Sequence, residues 1–275
     1  MNEFLLPLLK WAGGKRQLLP ELTCNMPKSF GTYFEPFIGG GAMLFEIHPK
    51  KAVIGDINEE LINFYSVVKN QVQPLLELLF TYVNSKEFFL EKRNIDRDPE
   101  KFRLLSPVEK AARTYYLNRT CFNGLFRVNS KGQFNTPFGY YKRPFSPVVG
   151  RFLAISSYLN DQNITIKHAS YLETCKDCQK GDFVYLDPPY DPVETHSFTS
   201  YVSDGFSRAD QCELKNLCDL LDKRGVKFML SNSATPFIKN LYKDYNCIFI
   251  KAKRVVNPSR VGSGSADEIL VRNYR

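Results

Sequence analysis

The stretch Asp182–Tyr190, DFVYLDPPY, gives the clearest indication of the fold. Its apolar run FVYL has the length of a buried strand, and Asp187 with two prolines follows directly. Because proline lacks an N–H group, this turn offers hydrogen-bond acceptors, the Asp187 carboxylate and the Pro188 carbonyl. Open α/β sheets bind ligands at the carboxyl ends of their strands, so the stretch predicts a strand that ends in a ligand site.

Strand-like runs of the same kind occur on both sides of this stretch. Segments with apolar residues at helical spacing, such as 57–70 and 209–225, separate several of them. The further runs are YFEPF (33–37), AVIGD (52–56), ITIKHA (164–169), KFMLSN (227–232), CIFIKAKR (247–254) and EILVRNY (268–274). This alternation predicts an α/β fold with a parallel sheet and helices on both of its faces.

The middle of the chain interrupts the alternation. Residues 60–118 are rich in Leu, Phe, Tyr, Glu and Lys at helical spacing. FRVNSKGQFNTPFG (126–139) then predicts a β-hairpin with Ser130–Lys131–Gly132 as its turn. We therefore expect a core made of residues 1–59 and 146–275, with residues 60–145 inserted into it as a helical and hairpin subdomain.

The composition excludes several classes of protein. The 275 residues are 43% hydrophobic and 24% charged, unlike disordered, collagen-like or disulfide-scaffold chains. No apolar run approaches the roughly 18–20 residues that a membrane-spanning helix needs. Seven scattered cysteines fit the reduced thiols of a cytosolic protein. The sequence therefore predicts a globular cytoplasmic protein with no membrane partner.

The distribution of charge favours a nucleic acid as the partner. The net charge is +8, and no Asp or Glu occurs from Lys110 to Asn160, where eight basic residues alternate with many aromatic ones. Cations neutralise phosphates and aromatic rings stack on bases, so this pattern is typical of a nucleic-acid surface. It is equally typical of a solvated basic face whose aromatic residues lie in the core, and the stretch alone leaves both interpretations open.

Two glycine-containing segments indicate a cofactor site. In FEPFIGGGA (34–42), glycines after a strand allow the backbone to approach a cofactor closely. Asp56 ends the next strand, where an acidic residue commonly binds ribose hydroxyls. The spacing matches neither GxGxxG nor a P-loop, which favours an adenosine-bearing cofactor that is not held by phosphates. KWAGGK (10–15) contains the one Trp of the chain, which fits either a core position or a cofactor contact.

The DPPY turn suits a ring-bound amino group as substrate. Such a group has two N–H donors and a lone pair that is delocalised into the ring. If the turn accepts both hydrogens, the nitrogen becomes pyramidal and its lone pair can face an electrophile. Tyr190 can stack on the same ring. The simpler alternative is an ordinary turn at the end of a strand.

Several motifs, in their order along the chain, resemble the DNA adenine methylase family. They are KWAGGKRQLLP (10–20), YFEPFIGGGA (33–42), DIN (56–58), NGLFRVNSKGQFNTPFGYYKRP (123–144) and YLDPPY (185–190). The resemblance implies a Rossmann-like methyltransferase sheet with an inserted DNA-recognition subdomain. It also implies transfer of a methyl group from S-adenosylmethionine to N6 of a flipped adenine in double-stranded DNA. HSFTSY (196–201) and the C-terminal tail resemble the GATC-specific branch of the family.

The resemblance further implies a role for individual residues. Those expected to hold the target adenine are Asp187, Pro188 and Tyr190. Those expected to contact S-adenosylmethionine are Trp11, Ala12, Lys15, Phe37, Gly39, Asp56, Ser170, Tyr171 and Asp187. Those expected to contact DNA are Lys10, Phe122, Asn123, Leu125, Arg127, Pro137, Tyr141 and Lys142. Two positions depart from the family pattern: Tyr140 replaces an Arg of some members, and Phe122 replaces a frequent Tyr.

Other functions remain alternatives at this point. The acceptor could be an RNA adenine or a protein glutamine, although glutamine-modifying enzymes usually carry Asn where Asp187 stands. A catalytically inactive nucleic-acid-binding protein is a third class. Cys175 and Cys178 form a CxxC without a second pair, so we expect no metal site. A cognate restriction endonuclease that acts separately is a compatible partner in a prokaryote or phage.

Overall fold

The computed structural model describes residues 5–192, 206–252 and 266–275. The α-helices are α1 (Leu19–Cys24), α2 (Leu44–Ile47), α3 (Glu59–Asn70), α4 (Val72–Phe80), α5 (Lys86–Asn94), α6 (Pro99–Leu104), α7 (Pro107–Thr120), α8 (Val149–Asp161), α9 (Tyr171–Thr174), α10 (Arg208–Lys223) and α11 (Pro236–Leu241). The strands are β1 (Tyr33–Glu35), β2 (Lys51–Asp56), β3 (Asn163–His168), β4 (Phe183–Leu186), β5 (Lys227–Ser233), β6 (Asn246–Ala252) and β7 (Ala266–Arg272). Single 3₁₀ turns occur at Ile95–Arg97 and Phe122–Gly124. The HSFTSY motif (196–201) lies outside the described residues.

Within the described residues, these seven strands form one sheet in the order β3-β2-β1-β4-β5-β7-β6. Strand β1 is parallel to β2 and β4, and β4 is parallel to β5, whereas β7 is antiparallel to both β5 and β6. The α/β prediction is confirmed, with the correction that the sheet is only mostly parallel. The sequence between β6 and β7 contains a GSGS run (262–265) and lacks the helical pattern that a parallel crossover uses.

Several of the described helices begin at a residue whose side chain caps the first turn. The Asn58 side chain accepts the N–H of Leu61 at the start of α3. Ser106 forms a reciprocal capping box with Glu109 at the start of α7, and Ser207 does the same at the start of α10. Each cap satisfies N–H groups that the first helical turn leaves without an intrahelical partner.

The chain divides into two compact units. One, which we call the helical unit, contains Met1–Arg16, Ile38–Lys50 and Gly55–His168. The other, which we call the sheet unit, contains Gln17–Phe37, Lys51–Ile54 and Ala169–Arg275. The functional boundaries of the expected recognition subdomain, at residues 60 and 145, stay a prediction.

Aromatic residues form much of the core of the helical unit. Phe64 of α3 stacks on Tyr115 of α7 with ring centroids 6.0 Å apart, and Phe152 of α8 packs edge-on against both rings. Tyr116 and Phe134 are also buried. The aromatic residues of the acid-free stretch 110–160 therefore fall into two groups. Some belong to the core and are unavailable to a nucleic acid, whereas others are exposed.

The core of the sheet unit lies between the central strands and α10. Val184 and Leu186 of β4 are fully buried, as is Leu230 of β5, and Leu214 and Leu221 of α10 belong to the same cluster. Because residues of β4 are buried on both faces, its sequence is a continuous apolar run and not an alternating one. This packing fixes the end of β4, from which the DPPY turn emerges.

The predicted hairpin at 126–139 is present only in reduced form. Its tip is a turn in which Gly132 N–H donates to the Asn129 carbonyl at 2.9 Å, but the two arms share an isolated bridge, Val128 with Phe134, and no regular strand. The Asn129 side chain accepts the Gln133 N–H that a strand ladder would use. Asp96 accepts the N–H of Phe134, which faces away from the other arm. We call residues 126–139 the recognition loop.

Candidate active site and nucleic-acid interface

Asp56 ends β2 and fixes the glycine-rich loop of the helical unit. Its Oδ2 accepts the N–H of Gly39 at 3.2 Å, and its Oδ1 accepts the N–H of Asn58 at 3.0 Å. Burial raises the pKa of Asp56, while the two N–H donors oppose that change. The carboxylate is thus held by backbone donors at the end of a strand, and its predicted contact with ribose hydroxyls stays a prediction.

Gly39 packs directly against Trp11. The φ angle of Gly39 is +45°, and a Cβ atom there would lie 2.9 Å from Trp11 Cδ1. The Gly39 carbonyl accepts the hydroxyl of Tyr65 at 3.0 Å. The other neighbour of Trp11 is Phe126, whose ring stacks on the indole with centroids 4.9 Å apart. Trp11 therefore connects the glycine loop with the recognition loop, a position that neither simple interpretation of this Trp had included.

The remaining residues of KWAGGK separate into inward and outward positions. Lys15 is only 8% exposed, and its ammonium donates to the Gly13 carbonyl at 2.7 Å. Ala12 is exposed. Lys15 therefore closes the turn of its own segment, and its predicted contact with a cofactor stays a prediction.

In the sheet unit, Phe37 and Tyr171 stack with ring centroids 5.4 Å apart, and Phe206 packs against both. The Tyr171 hydroxyl donates to Glu213 Oε2 at 2.7 Å. Burial and this carboxylate raise the pKa of Tyr171, so its phenol stays neutral. Ser170, next to it, caps α9 by accepting the N–H of Glu173. The sequence predicted Phe37 and Tyr171, whereas Phe206 and Glu213 carried no motif.

The DPPY turn is held by buried polar groups of the sheet unit. Gln211 donates from Nε2 to the Pro189 carbonyl at 2.9 Å, and Asn232 donates in turn to Gln211 Oε1 at 3.1 Å. The N–H of Asp191 donates to Asn232 Oδ1 at 3.0 Å, and the Ser233 hydroxyl donates to the Asp191 carbonyl at 2.7 Å. Main-chain groups on both sides of Tyr190 are therefore fixed by β5 and α10.

The side chain of Asp191 adds an ion pair to this support. It is 1% exposed and accepts from Arg208 Nε at 3.0 Å and from the Thr235 hydroxyl at 2.7 Å. A buried carboxylate with two such donors is costly to disturb, because removing a donor leaves a buried charge. Asp191 directly follows DPPY, and its role was not predicted.

Tyr190 is oriented by β7. Its hydroxyl donates to Glu268 Oε2 at 2.9 Å. Burial raises the pKa of Tyr190, and the negative charges of Asp187 and Glu268 raise it further. The phenol is therefore neutral, and its ring is held in one orientation beside the half-buried Asp187.

In the helical unit, Asn118 links Lys10 to the turn that follows α7. Asn118 is 1% exposed; it accepts the N–H of Lys10 at 2.9 Å and donates to the carbonyls of Lys10 and Gly124 at 2.7 and 3.2 Å. Gly124 has a φ of +67°, and a Cβ atom there would overlap the Lys10 side chain. Two distant motif segments are thus joined by an Asn that the sequence analysis did not select.

The turn Phe122–Gly124 exposes an aromatic ring. The Phe122 side chain is 55% exposed, and its N–H donates to the Pro137 carbonyl at 2.8 Å. Asn123 has a φ of +56°, in the left-handed region that Asn tolerates best among residues with a side chain. Leu125 is also exposed. An exposed aromatic ring on a constrained turn has the form expected of a wedge between base pairs.

Arg127 is exposed on the recognition loop. Its Nε donates to Asn135 Oδ1 at 2.7 Å, which orients the guanidinium. Tyr141 and Lys142 are exposed, and Lys10 Nζ lies 5.8 Å from the Tyr141 ring centroid. Tyr140, at a position of departure from the family pattern, is 66% exposed with a φ of +53°.

Comparison with known proteins assigns the family. Residues 11–256 match the family of D12 class N6 adenine-specific DNA methyltransferases. The chain belongs to this family. It is 48% identical to the Type II methyltransferase M1.LlaDCHI of Lactococcus lactis subsp. cremoris, over 98% of this chain and 96% of that protein. It is 39% identical to the Type II methyltransferase M.MjaIII of Methanocaldococcus jannaschii (98% and 99% covered) and 35% identical to a DNA adenine methylase of Vibrio cholerae (95% and 94% covered).

The resemblance found in the sequence is thereby confirmed, and the chain is an adenine-specific DNA methyltransferase by family. The structure brings together predicted residues of this methyltransferase within each unit: Trp11, Gly39 and Asp56 in one, and Phe37 with Tyr171 in the other. The individual roles of the predicted cofactor, catalytic and DNA residues stay predictions.

Two further observations concern metals and membranes. In residues 5–192, 206–252 and 266–275, no group of three or more His, Cys, Asp or Glu side chains is arranged to hold a metal ion. Cys175 and Cys178 are both buried. None of the helices described for this methyltransferase has the length and apolar character needed to cross a membrane.

Proposed function

We propose that this methyltransferase transfers a methyl group from S-adenosylmethionine to N6 of an adenine extruded from duplex DNA, within the sequence GATC. The observation that carries the proposal is the DPPY turn, whose Pro189 carbonyl and following residue Asp191 are fixed by a buried polar network. A turn supported in this way keeps the Asp187 carboxylate and the Pro188 carbonyl in a defined position for an amino group.

The residues expected to bind the cofactor fit its chemistry. The Asp56 carboxylate suits the two ribose hydroxyls, and the absence of a side chain at Gly39 lets the Trp11 indole pack directly on the glycine loop. Phe37 and Tyr171 supply aromatic surface for a purine. Ala12, Lys15, Ser170 and Asp187 complete the proposed set. S-adenosylmethionine, when bound, supplies an electrophilic methyl group.

The proposed catalytic residues act by positioning and electrostatics. Asp187 and Pro188 accept the two hydrogens of the adenine amino group, which directs the nitrogen lone pair out of the ring plane. Tyr190, held by Glu268, supports the face of the base. Such preorganised acceptors require no protein nucleophile, and the extra proton on N6 leaves after the transfer.

The proposed DNA contacts lie in the helical unit. Extruding an adenine costs a few kcal/mol. We expect the exposed Phe122, with Asn123 and Leu125, to offset part of that cost by occupying the opened duplex. Arg127 can donate two hydrogen bonds to a guanine edge. The others in the proposed set are Lys10, Pro137, Tyr141 and Lys142. The resemblance of HSFTSY (196–201) to the GATC-specific branch supports the GATC proposal. Relatives named Type II methyltransferase support a separate restriction endonuclease as partner.

The proposed reaction can be tested on short duplexes. Purified protein is mixed with methyl-labelled S-adenosylmethionine and one of two duplexes, which contain GATC with ordinary adenine or with N6-methyladenine on both strands. We expect label on the first duplex only, with N6-methyladenine as the labelled nucleoside after digestion. Equal labelling of both duplexes, or label on cytosine, would contradict the proposal.

A further inference from the structure

The recognition loop cannot be held in place by its own hydrogen bonds. Between its arms lies one isolated bridge, Val128 with Phe134, flanked by two main-chain bonds of 2.9 Å from Asn135 N–H to the Arg127 carbonyl and from Asn129 N–H to the Gln133 carbonyl. An isolated two-stranded hairpin is marginally stable even with a full ladder. The position of the loop must therefore come from contacts with the helices of the same unit.

Both main-chain groups of Phe134 are held by the 3₁₀ turn Ile95–Arg97. The Phe134 N–H donates to Asp96 Oδ2 at 2.7 Å, and its carbonyl accepts from Arg97 Nη2 at 2.6 Å. Arg97 Nη1 also pairs with Asp96 Oδ1 at 2.6 Å. The Phe134 ring is 1% exposed. Two neighbouring side chains thus bind one residue of the loop as a strand partner would.

Behind Asp96 lies a buried cation. Arg113 of α7 is 1% exposed, and its Nη2 contacts Asp96 Oδ2 at 2.5 Å. Nη2 also donates to the Arg93 carbonyl at 3.2 Å, while Nη1 donates to Glu60 Oε2 at 3.1 Å and Nε to the Lys92 carbonyl at 2.9 Å. The guanidinium therefore ties α3, α5 and α7 to the carboxylate that holds the loop.

Phe134 is adjacent to Asn135, the residue that orients Arg127. Asn135 follows Phe134 directly, donates its N–H to the Arg127 carbonyl, and accepts Arg127 Nε at 2.7 Å. A shift at Phe134 would be passed to Asn135 and then to the guanidinium. A shift of about 1 Å would be enough to impair a bidentate hydrogen bond from the Arg127 guanidinium to a base.

We propose that Asp96 and Arg97 are positioning residues for target-sequence recognition, acting on Arg127 through Phe134 and Asn135. The proposal rests on the proposed function, in which Arg127 reads a base. Asp96 and Arg97 need not touch DNA for this role. Their effect should therefore appear in sequence discrimination more than in general affinity.

The test is the ratio of kcat/KM for a GATC duplex to kcat/KM for duplexes with one outer base pair changed. Arg97→Ala and Asp96→Asn are expected to lower this ratio about tenfold, toward the value for Arg127→Ala, which loses a bidentate contact. Arg103→Ala is the matched control, since this Arg is 73% exposed and, among the residues that the structure describes, forms its ion pair with the nearby Glu100. Its ratio should equal that of the wild type.

A merely structural role would lower the melting temperature and the active fraction but not the ratio, since an inactive fraction cancels from it. An unchanged ratio in Arg97→Ala therefore overturns this inference while the proposed function stands. Arg97 is one-third exposed, so this variant serves if Asp96→Asn does not fold. Wild-type protein that methylates neither duplex would overturn the proposed function and this inference together.

Discussion

At the scale of single residues, the catalytic proposal depends on where the turn after β4 is held. Two prolines remove N–H groups, but they do not by themselves determine where the carbonyls point. Gln211 and Asn232 supply that constraint through the Pro189 carbonyl and the Asp191 N–H. In the proposed mechanism, Asp187 therefore meets the adenine amino group with little rearrangement, which is the basis of catalysis by preorganisation.

Asp187→Ala is expected to lower the methylation rate at least about a hundredfold, the scale for losing one preorganised contact to the transition state. DNA affinity should stay close to wild type, because the proposed DNA contacts lie on other residues. Single-turnover transfer and fluorescence anisotropy measure the two quantities. Asp244→Ala, at an exposed Asp far along the chain, is the control. Activity that persists in Asp187→Ala would refute the catalytic assignment.

With Asp56 binding the ribose as proposed, we expect the affinity for S-adenosylmethionine to depend on pH. Burial raises the pKa of Asp56 above 3.8, and ribose hydroxyls that donate to the carboxylate favour its ionised form. Cofactor binding is then fully favoured above the pKa of the free protein and weakens as pH falls through it. The Kd for S-adenosylmethionine should rise by up to about tenfold per pH unit below that pKa. Calorimetry on Asp56→Asn should give a weaker affinity without this pH dependence; parallel profiles for both proteins would exclude Asp56 as the cause.

The DPPY turn and Asp56 could be predicted from the sequence because each lies directly after an apolar run. Their supports could not be predicted in this way. Asn232 is 41 residues from Asp191, and Glu268 is 78 residues from Tyr190. Neither partner has a distinctive neighbour in sequence, so only the sheet order reveals the pairing.

At the scale of elements, the glycine loop after β1 packs closely against Trp11, and a substitution in the loop can test whether this packing is needed. Gly39→Ala places a Cβ atom 2.9 Å from the indole, in addition to the strain of a positive φ. Overpacking of this kind costs about 1–3 kcal/mol, or roughly tenfold in affinity for S-adenosylmethionine if the loop is displaced.

The matched control is Gly181→Ala, because Gly181 has a φ of +95° but no neighbouring atom within 4 Å. Both variants should lower the free energy of unfolding by about 1–2 kcal/mol through backbone strain. Only Gly39→Ala should weaken cofactor binding, measured by calorimetry. Equal loss of cofactor affinity in both variants would indicate a general effect of destabilisation.

Among the elements, the strands were predicted correctly within a few residues, since buried strands of an α/β sheet are continuous apolar runs. The recognition loop was predicted with too much regular structure. Its turn is present, but the Gln133 N–H, which would face the other arm, is taken by the Asn129 side chain. A pattern of alternating residues contains no information about such a competing acceptor.

At the scale of the whole molecule, the net charge of +8 and the acid-free stretch 110–160 indicate a DNA surface. In the structure, however, several basic and aromatic side chains of this stretch are buried and cannot contact DNA. Arg113 is buried in ion pairs, and Tyr115, Tyr116 and Phe134 belong to the core. The exposed remainder includes Arg127, and composition could not separate the two sets.

Phosphate contacts make DNA affinity depend on salt. A protein that neutralises about six phosphates loses about a thousandfold in affinity between about 50 and 200 mM salt. We expect a loss of DNA affinity of about this size for this methyltransferase. Lys142→Ala should make the slope of log K against log[salt] shallower by about one. Lys180→Ala, an exposed Lys outside the acid-free stretch, is the control. Equal slopes in wild type and Lys142→Ala would remove Lys142 from the proposed phosphate contacts.

The most direct measurement is methylation of a whole plasmid by the purified protein with S-adenosylmethionine, followed by sequencing that reports every N6-methyladenine. Methyl groups on the adenines of GATC, and on no other adenines, are the expected result. Methylation at a different recurring sequence would keep the reaction and refute the proposed target. A plasmid without N6-methyladenine, after incubation with protein shown to bind the cofactor, would contradict the proposed function itself.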